Sequence, residues 1–207
     1  RPHQAVIVMD AVQAGIVQPP LEKAGVGAQG RQLLGAGPVV LAQTFDQRRF
    51  ALGHGNSRAI FQNPDDLELF RQHGLVEPAR VVMIRGCGVD MALFQPAPGE
   101  PGLVIFPARI IGDKGAREFV EAAGLLKQRG RAARCVLVGR TDPDNPTYIS
   151  EAEIKGWQDQ GIVEWWGFED DMPGLLGRAE IVCLPSYREG LPRVLIEAAA
   201  AGKPIVT

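Results

Sequence analysis

The chain has 207 residues, 45% of them hydrophobic and 22% charged, with a formal net charge of -2. That length accommodates a sizeable core in one domain, or one domain plus part of another, and the composition excludes a disordered or fibrous protein. A balance so near neutrality leaves no electrostatic footprint for nucleic acid. No apolar run approaches the roughly 20 residues that span a bilayer, and no signal peptide is visible. Cys87, Cys135 and Cys183 are widely spaced with no C-x-x-C pair, which reads as three buried, reduced thiols of a cytosolic protein.

In chain order, residues 1–57 read as a poorly defined remnant, because Gly-, Pro- and Ala-rich pieces interrupt every candidate element. Residues 5–9 and 39–41 suit either short strands or unordered chain. From residue 58 the signals sharpen. Ala59-Ile60-Phe61 predicts a buried strand, and Asn63-Pro64-Asp65-Asp66 a helix start with a cap, a first-turn proline and acids at the positive end. That helix is expected to run to about His73 and stop at Gly74, with a further strand over residues 80–84. None of the three histidines, His3, His54 and His73, is assigned a catalytic role.

Arg85-Gly86-Cys87-Gly88 contains Gly-x-Gly, but a dinucleotide fingerprint opens a helix directly after its strand. Here Pro96, Pro98 and Pro101 follow, so the stretch reads as a linker. Beyond Gly102 the pattern is regular, with strands at 103–106, 135–138, 162–166 and 181–184 and the start of a fifth at 204–206. Between them lie helices: one with an apolar stripe of Phe119, Val120, Ala123, Leu125 and Leu126, then 148–160, 172–178 and 191–201. Strands alternating with helices at this spacing predict an α/β, doubly wound, Rossmann-like parallel sheet, which binds ligands outside the carboxyl ends of its strands.

The strand-end rule yields a residue set. Arg109 and Lys114 follow the first strand of this sheet and suit a diphosphate, the arginine as a fork and the lysine as a point charge; a surface role suits either alone. Gly139 follows the second strand, where a missing side chain lets backbone approach a nucleotide, and Phe168 lies just past the third, after Trp165-Trp166. Alternation along that third strand places one tryptophan in the core and the other under a helix. After the fourth strand comes Ser186-Tyr187-Arg188-Glu189-Gly190-Leu191-Pro192-Arg193. Proline is pre-set for a first helical position, so the helix is expected to open at Leu191 or Pro192, with the amides of Gly190, Leu191 and Arg193 facing an anion. Glu189 and Glu197 are eight residues apart, about 12 Å of helical rise, roughly a nucleotide-sugar from ribose to hexose. Spacing alone also suits two solvated glutamates, but Glu197 lies between Leu195-Ile196 and four alanines, a setting for a pocket or a partner.

Pro185-Ser186-x-x-Glu189-Gly190-x-Pro192, closed by Glu197, resembles the E-x7-E signature of the retaining glycosyltransferases of the two-Rossmann-domain (GT-B) architecture, in particular family 4. Three further stretches resemble the same family, of which Phe61-Gln62-Asn63-Pro64-Asp65-Asp66 is similar to the last strand-to-helix step of the lobe before the crossover. Gly88-Val89-Asp90-x-x-x-Phe94-x-Pro96 is similar to its interlobe crossover, and Arg109-x-x-x-x-Lys114-Gly115 to its phosphate-binding motif, with Ala108-Arg109-Ile110 where Gly-Arg-Leu is usual. The resemblance covers residues 58–207. It implies that 58–95 end an acceptor lobe and form the crossover, and that 96–207 belong to the donor-binding lobe, as a piece truncated at both ends.

By that resemblance a hexosyl group passes from a nucleoside-diphosphate sugar, expected to be UDP-linked, to a glycan or lipid-linked glycan acceptor with retention of configuration. Glu189 would hold sugar hydroxyls and Glu197 the ribose. Arg109, Lys114 and the Gly190-Leu191 amides would meet the diphosphate, and Gly139 and Phe168 would lie beside the nucleotide. Neither a metal nor another cofactor is implied. The setting is cytoplasmic, with peripheral membrane association compatible with a lipid-linked acceptor. The isolated chain is expected to bind donor without turnover. A dinucleotide-dependent oxidoreductase is the contrasting reading, disfavoured because no strand is followed by G-x-G-x-x-G.

Overall fold

Runs such as Cys135-Val136-Leu137-Val138, apolar at consecutive positions, belong to strands covered on both faces. The computed structural model, which describes residues 5–9 and 57–207, bears this out. The chain divides into two units, residues 1–87 and 88–207.

In the first unit, β1 (Ala5–Met9), β2 (Ser57–Phe61) and β3 (Val81–Met83) form a parallel sheet in the order β1-β2-β3. Helix α1 (Pro64–Gln72) starts as its sequence dictates: Asn63 Oδ1 accepts from the Asp66 amide at 2.7 Å, and Pro64 occupies the first turn. Phe61 and Phe70 meet edge to face at 5.1 Å between centroids and are fully buried. The strand expected over residues 80–84 is shorter because Pro78–Arg80 forms a 3-10 turn first, the Arg80 amide donating to the Glu77 carbonyl. The candidate strand at 39–41 lies outside the described residues.

The second unit is built on β4 (Leu103–Pro107), β5 (Arg134–Val138), β6 (Glu164–Gly167), β7 (Ile181–Cys183) and β8 (Ile205–Val206). All pair in parallel, in the order β6-β5-β4-β7-β8. Helices α2 (Ala116–Gln128), α3 (Glu151–Asp159), α4 (Met172–Arg178) and α5 (Arg193–Ala200) cover it. Phe106 and Leu137 pack with Phe119 and Val120 of α2 and Ile154 of α3, whereas Ile105, Val136 and Val182 pack with Leu175 and Leu176 of α4 and Ala198 of α5. β4, β5, β6 and β7 thus alternate between two cores, the expected doubly wound arrangement. From β4 the chain winds outward through β5 and β6, then returns to β4's other side for β7 and β8. The chain therefore leaves β4 and β7 toward helices on opposite faces of the sheet, the switch point beside which such sheets bind ligands.

Several details depart from expectation. Helix α5 begins at Arg193, not at Leu191 or Pro192: Pro192 is its N-cap, with extended ψ of 105°. A residue before proline is pushed toward extended geometry, so Leu191 stays outside the helix. Helix α3 begins at Glu151, not Tyr148, because Ser150 Oγ accepts from the Glu153 amide at 3.1 Å and the Tyr148 amide closes a turn on the Asn145 carbonyl. Leu125 is 45% exposed, one position off the stripe that buries Ala116, Phe119, Val120 and Ala123. Cys87 is exposed, contrary to the expectation of three buried thiols, while Cys135 is buried and Cys183 partly so. Burial pushes the Cys135 thiol up to about 11 and raises that of Cys183.

At the opposite end of α5 lies a buried cation, Lys203. Its ammonium donates to the Ala97 carbonyl at 2.6 Å and the Gly177 carbonyl at 2.7 Å, tying residues 96–101 to the last turn of α4. A helix end leaves a carbonyl such as that of Gly177 without an intrahelical partner, and burial lowers the lysine's pKa below its usual 10.5. Lys203→Met keeps the aliphatic stem and strips both carbonyls of their donor, so chemical denaturation is expected to register a loss of about 1–3 kcal/mol; an unchanged midpoint would show the contact to be dispensable. A disulfide-exchange reagent at pH 8 is expected to modify Cys87 at once, with Cys135 reacting only on unfolding, since reactivity follows thiolate population and access; fast modification of Cys135 in the folded chain would contradict its burial.

Candidate functional site

The site is assembled by three loops at the carboxyl edge. After β4, Ile110 and Ile111 are buried anchors. The Ile110 amide donates to the Arg140 carbonyl at 2.9 Å, and Ile110 and Ile111 bridge to Thr141 and Tyr148, fastening this loop to the one after β5. The Gly112 amide donates to the Thr147 carbonyl at 2.8 Å and the Asp113 amide to Thr147 Oγ1 at 3.1 Å. Arg109 and Lys114 flank these anchors.

Gly139 sits where the loops after β4 and β5 come closest: a Cβ there would lie 1.9 Å from the Ala108 carbonyl oxygen. Its amide donates to the Gly167 carbonyl at 2.7 Å, and its carbonyl accepts from Trp165 Nε1 at 2.9 Å. Trp165 packs on the α2/α3 core and Trp166 on the opposite one, as strand alternation requires. Phe168, just beyond β6, is half-exposed with the Arg140 guanidinium 4.1 Å from its ring centroid.

The loop after β7 is clasped to the loop after β4. Gly115 has φ 76°, and a Cβ on it would lie 2.0 Å from the Pro185 carbonyl oxygen, so only glycine satisfies both backbone and space. The Asp113 carbonyl accepts from Ser186 Oγ at 3.2 Å and from the Tyr187 amide at 3.1 Å. The Tyr187 hydroxyl donates to Glu118 Oε1 on α2, and that carboxylate holds the phenol above its usual pKa. This clasp delivers Glu189 to Lys114, with Oε1 and Nζ 2.6 Å apart and both side chains about one-fifth exposed (21% and 22%).

The structure thus unites one predicted cation with one predicted acid at the carboxyl edge. The other two have partners of their own. Arg109 Nη1 lies 2.6 Å from Asp142 Oδ2 in the loop after β5, and Glu197 Oε1 lies 2.8 Å from Arg193 Nε, one turn earlier on α5. Glu197 is only 7% exposed, as its apolar neighbours indicated, and a carboxylate so enclosed needs its guanidinium partner. No side chain caps α5; Gly190 and Leu191, half-buried, lead into it. Asp142 and Arg193 were not foreseen. The i,i+4 spacing of Arg193 and Glu197 carries a usable signal, whereas Asp142 joins Arg109 only through the tertiary fold. Among the described residues, no three His, Cys, Asp or Glu side chains gather as a metal-binding group would, and no helix is long and apolar enough to cross a membrane.

Residues 101–207 match the family model described as glycosyl transferases group 1. Over 162 residues the chain is 33% identical to the N,N'-diacetylbacillosaminyl-diphospho-undecaprenol alpha-1,3-N-acetylgalactosaminyltransferase of Campylobacter jejuni, covering 71% of this chain and 41% of that protein. It is 31% identical over 142 residues to the putative colanic acid biosynthesis glycosyltransferase WcaL of Escherichia coli, covering 63% of this chain and 34% of that one. The chain therefore spans less than half the length of these relatives. Among solved structures, Anabaena HepE in complex with UDP and glucose superposes with a TM-score of 0.63 at 23% identity, covering 77% of this chain and 47% of that one. WaaG, a glycosyltransferase involved in lipopolysaccharide biosynthesis, superposes with a TM-score of 0.58 at 19% identity over 77% of this chain and 46% of that one. The parallel sheet and the family match together place the chain in the glycosyl transferases group 1 family, with the fold of the GT-B glycosyltransferases.

Proposed function

We propose that this chain carries the donor site of a family 4 retaining glycosyltransferase, one that moves a hexosyl group from a UDP-linked sugar to a glycan or lipid-linked glycan. The observation that carries the reading is the Lys114–Glu189 pair between the loops after β4 and β7. A cation there suits a diphosphate and an acid suits sugar hydroxyls, and the two groups are within hydrogen-bond distance of each other. Glycosyl transfer needs both functions adjacent, because the bond that breaks joins the sugar to the diphosphate.

In this reading Arg109 and Lys114, with the amides leading into α5, stabilise charge that grows on the departing diphosphate. Glu189 orients the hexose by accepting from its hydroxyls. Glu197, enclosed beside Arg193, takes the ribose, while Gly139 and the exposed Phe168 ring flank the base. In this reading the two side-chain cations and the amides leading into α5 meet the diphosphate without a metal. Retention and the family 4 assignment rest on the resemblance of Pro185-Ser186-x-x-Glu189-Gly190-x-Pro192 with Glu197. Glycan assembly is supported by the relatives, and peripheral attachment to the cytoplasmic face of a membrane belongs to the same reading. One is named for transfer to a diphospho-undecaprenol-linked sugar and another for colanic acid biosynthesis.

Calorimetric titration of the chain with UDP, GDP and NAD tests the reading. UDP is expected to bind equally well with EDTA or magnesium present, and Arg109→Ala and Lys114→Ala are each expected to weaken it about tenfold, as for loss of one charge-assisted hydrogen bond. Binding of NAD alone, or of UDP with indifference to both substitutions, would remove the proposal.

A further inference from the structure

Resting on the donor-site reading, we propose that Asp142 is a positioning residue for diphosphate binding, its carboxylate holding the Arg109 guanidinium at the rim between β4 and β5. Arg109 Nη1 lies 2.6 Å from Asp142 Oδ2. The two loops do not need that contact to stay together. The Ile110 amide donates to the Arg140 carbonyl at 2.9 Å, Ile110 bridges Thr141, and the Asp142 carbonyl accepts from the Asn145 amide at 3.0 Å. With the backbone already fastened, the carboxylate acts on the arginine side chain itself.

That side chain needs an anchor. Arg109 is 53% exposed against 28% for Asp142, so the acid is the more enclosed and better fixed of the two. A free arginine at this exposure samples many rotamers, and ligand binding must then suppress them. One N–H directed to Asp142 leaves the rest of the planar fork free for phosphate oxygens. The neighbouring strand repeats the device, since Lys114 is held by Glu189 from the loop after β7. Each cation borne by the loop after β4 is thus fixed by an acid from a strand on either side of β4.

Two roles for Asp142 predict effects of opposite sign. A carboxylate that merely contributes negative charge beside a polyanion repels it, so its removal tightens binding. A positioning carboxylate weakens binding when removed, and an uncharged side chain that still accepts a hydrogen bond restores much of the loss.

The test is calorimetric titration of the 207-residue chain with UDP, comparing wild type, Asp142→Ala, Asp142→Asn, Arg109→Ala and the Arg109→Ala/Asp142→Ala double variant, each checked by thermal denaturation. Asp142→Ala is expected to weaken UDP by about threefold to tenfold, with Asp142→Asn closer to wild type and less than about twofold further loss on the Arg109→Ala background. Unchanged or tighter binding by Asp142→Ala, or an undiminished loss on the Arg109→Ala background, overturns the inference. If Arg109→Ala loses affinity while Asp142→Ala does not, the inference alone fails. If the chain does not bind UDP, or Arg109→Ala binds it like wild type, the donor-site role of Arg109 fails and takes this inference with it.

Discussion

Lys114 and Glu189 are 75 positions apart in sequence and 2.6 Å apart in space. Their meeting depends on β4 lying where the sheet reverses its winding, with β5 on one side and β7 on the other. The loop after β4 consequently touches both of the others. It is stitched to the loop after β5 through Ile110, Ile111, Gly112 and Asp113, and to the loop after β7 through the Asp113 carbonyl and the close approach of Gly115 to Pro185. Rigid backbone at a sheet edge lets two charged side chains hold a fixed separation, which flexible surface loops do not provide.

The electrostatics follow from the degree of enclosure. The Lys114–Glu189 pair is mostly screened from water but still reachable, so its Coulomb attraction exceeds that of a fully solvated pair while each group remains available to a ligand. Glu197 is more deeply enclosed and is paired with Arg193, itself largely exposed. A different charge network occupies the start of the sheet. Arg134 joins Glu164 and Glu100, Arg178 joins Glu100, and both guanidiniums lie over Trp166. Its arginine contacts hold the Glu100 and Glu164 carboxyls below their usual range. Depressed carboxyl pKa values stabilise the fold above the unfolded value, and that contribution fades as pH falls through the folded ones. A lowered carboxyl pKa is therefore a structural marker here, located at the end of the strands opposite the carboxyl edge.

Much of this was legible in the sequence, for a physical reason. Uninterrupted apolar runs ending in glycine or a polar turn identify strands buried on both faces, so the order of elements from Leu103 onward could be read directly. Motif wording located Arg109, Lys114, Glu189 and Glu197, since charges at strand ends stand out against apolar strands. What escaped depends on contacts made only after folding. The pairing of Arg109 with Asp142 joins loops 33 residues apart, and nothing in local spacing announces it. Pro192 is compatible with both the first helical position and the cap, and it takes the cap, with ψ 105°. Cys87 lies beside an apolar strand in sequence yet is exposed, because burial depends on what covers β3 and not on β3 itself.

The account turns on the carboxyl edge of β4, β5 and β7 being the nucleotide-binding edge. Backbone amide shifts of the isotope-labelled chain during titration with UDP measure this residue by residue. The account predicts the largest shifts within residues 108–115, 139–142 and 186–194, with Gly102, Arg134 and Lys203 unmoved. Shifts concentrated at Gly102, Arg134 and Lys203, with the three carboxyl-edge loops silent, would contradict it.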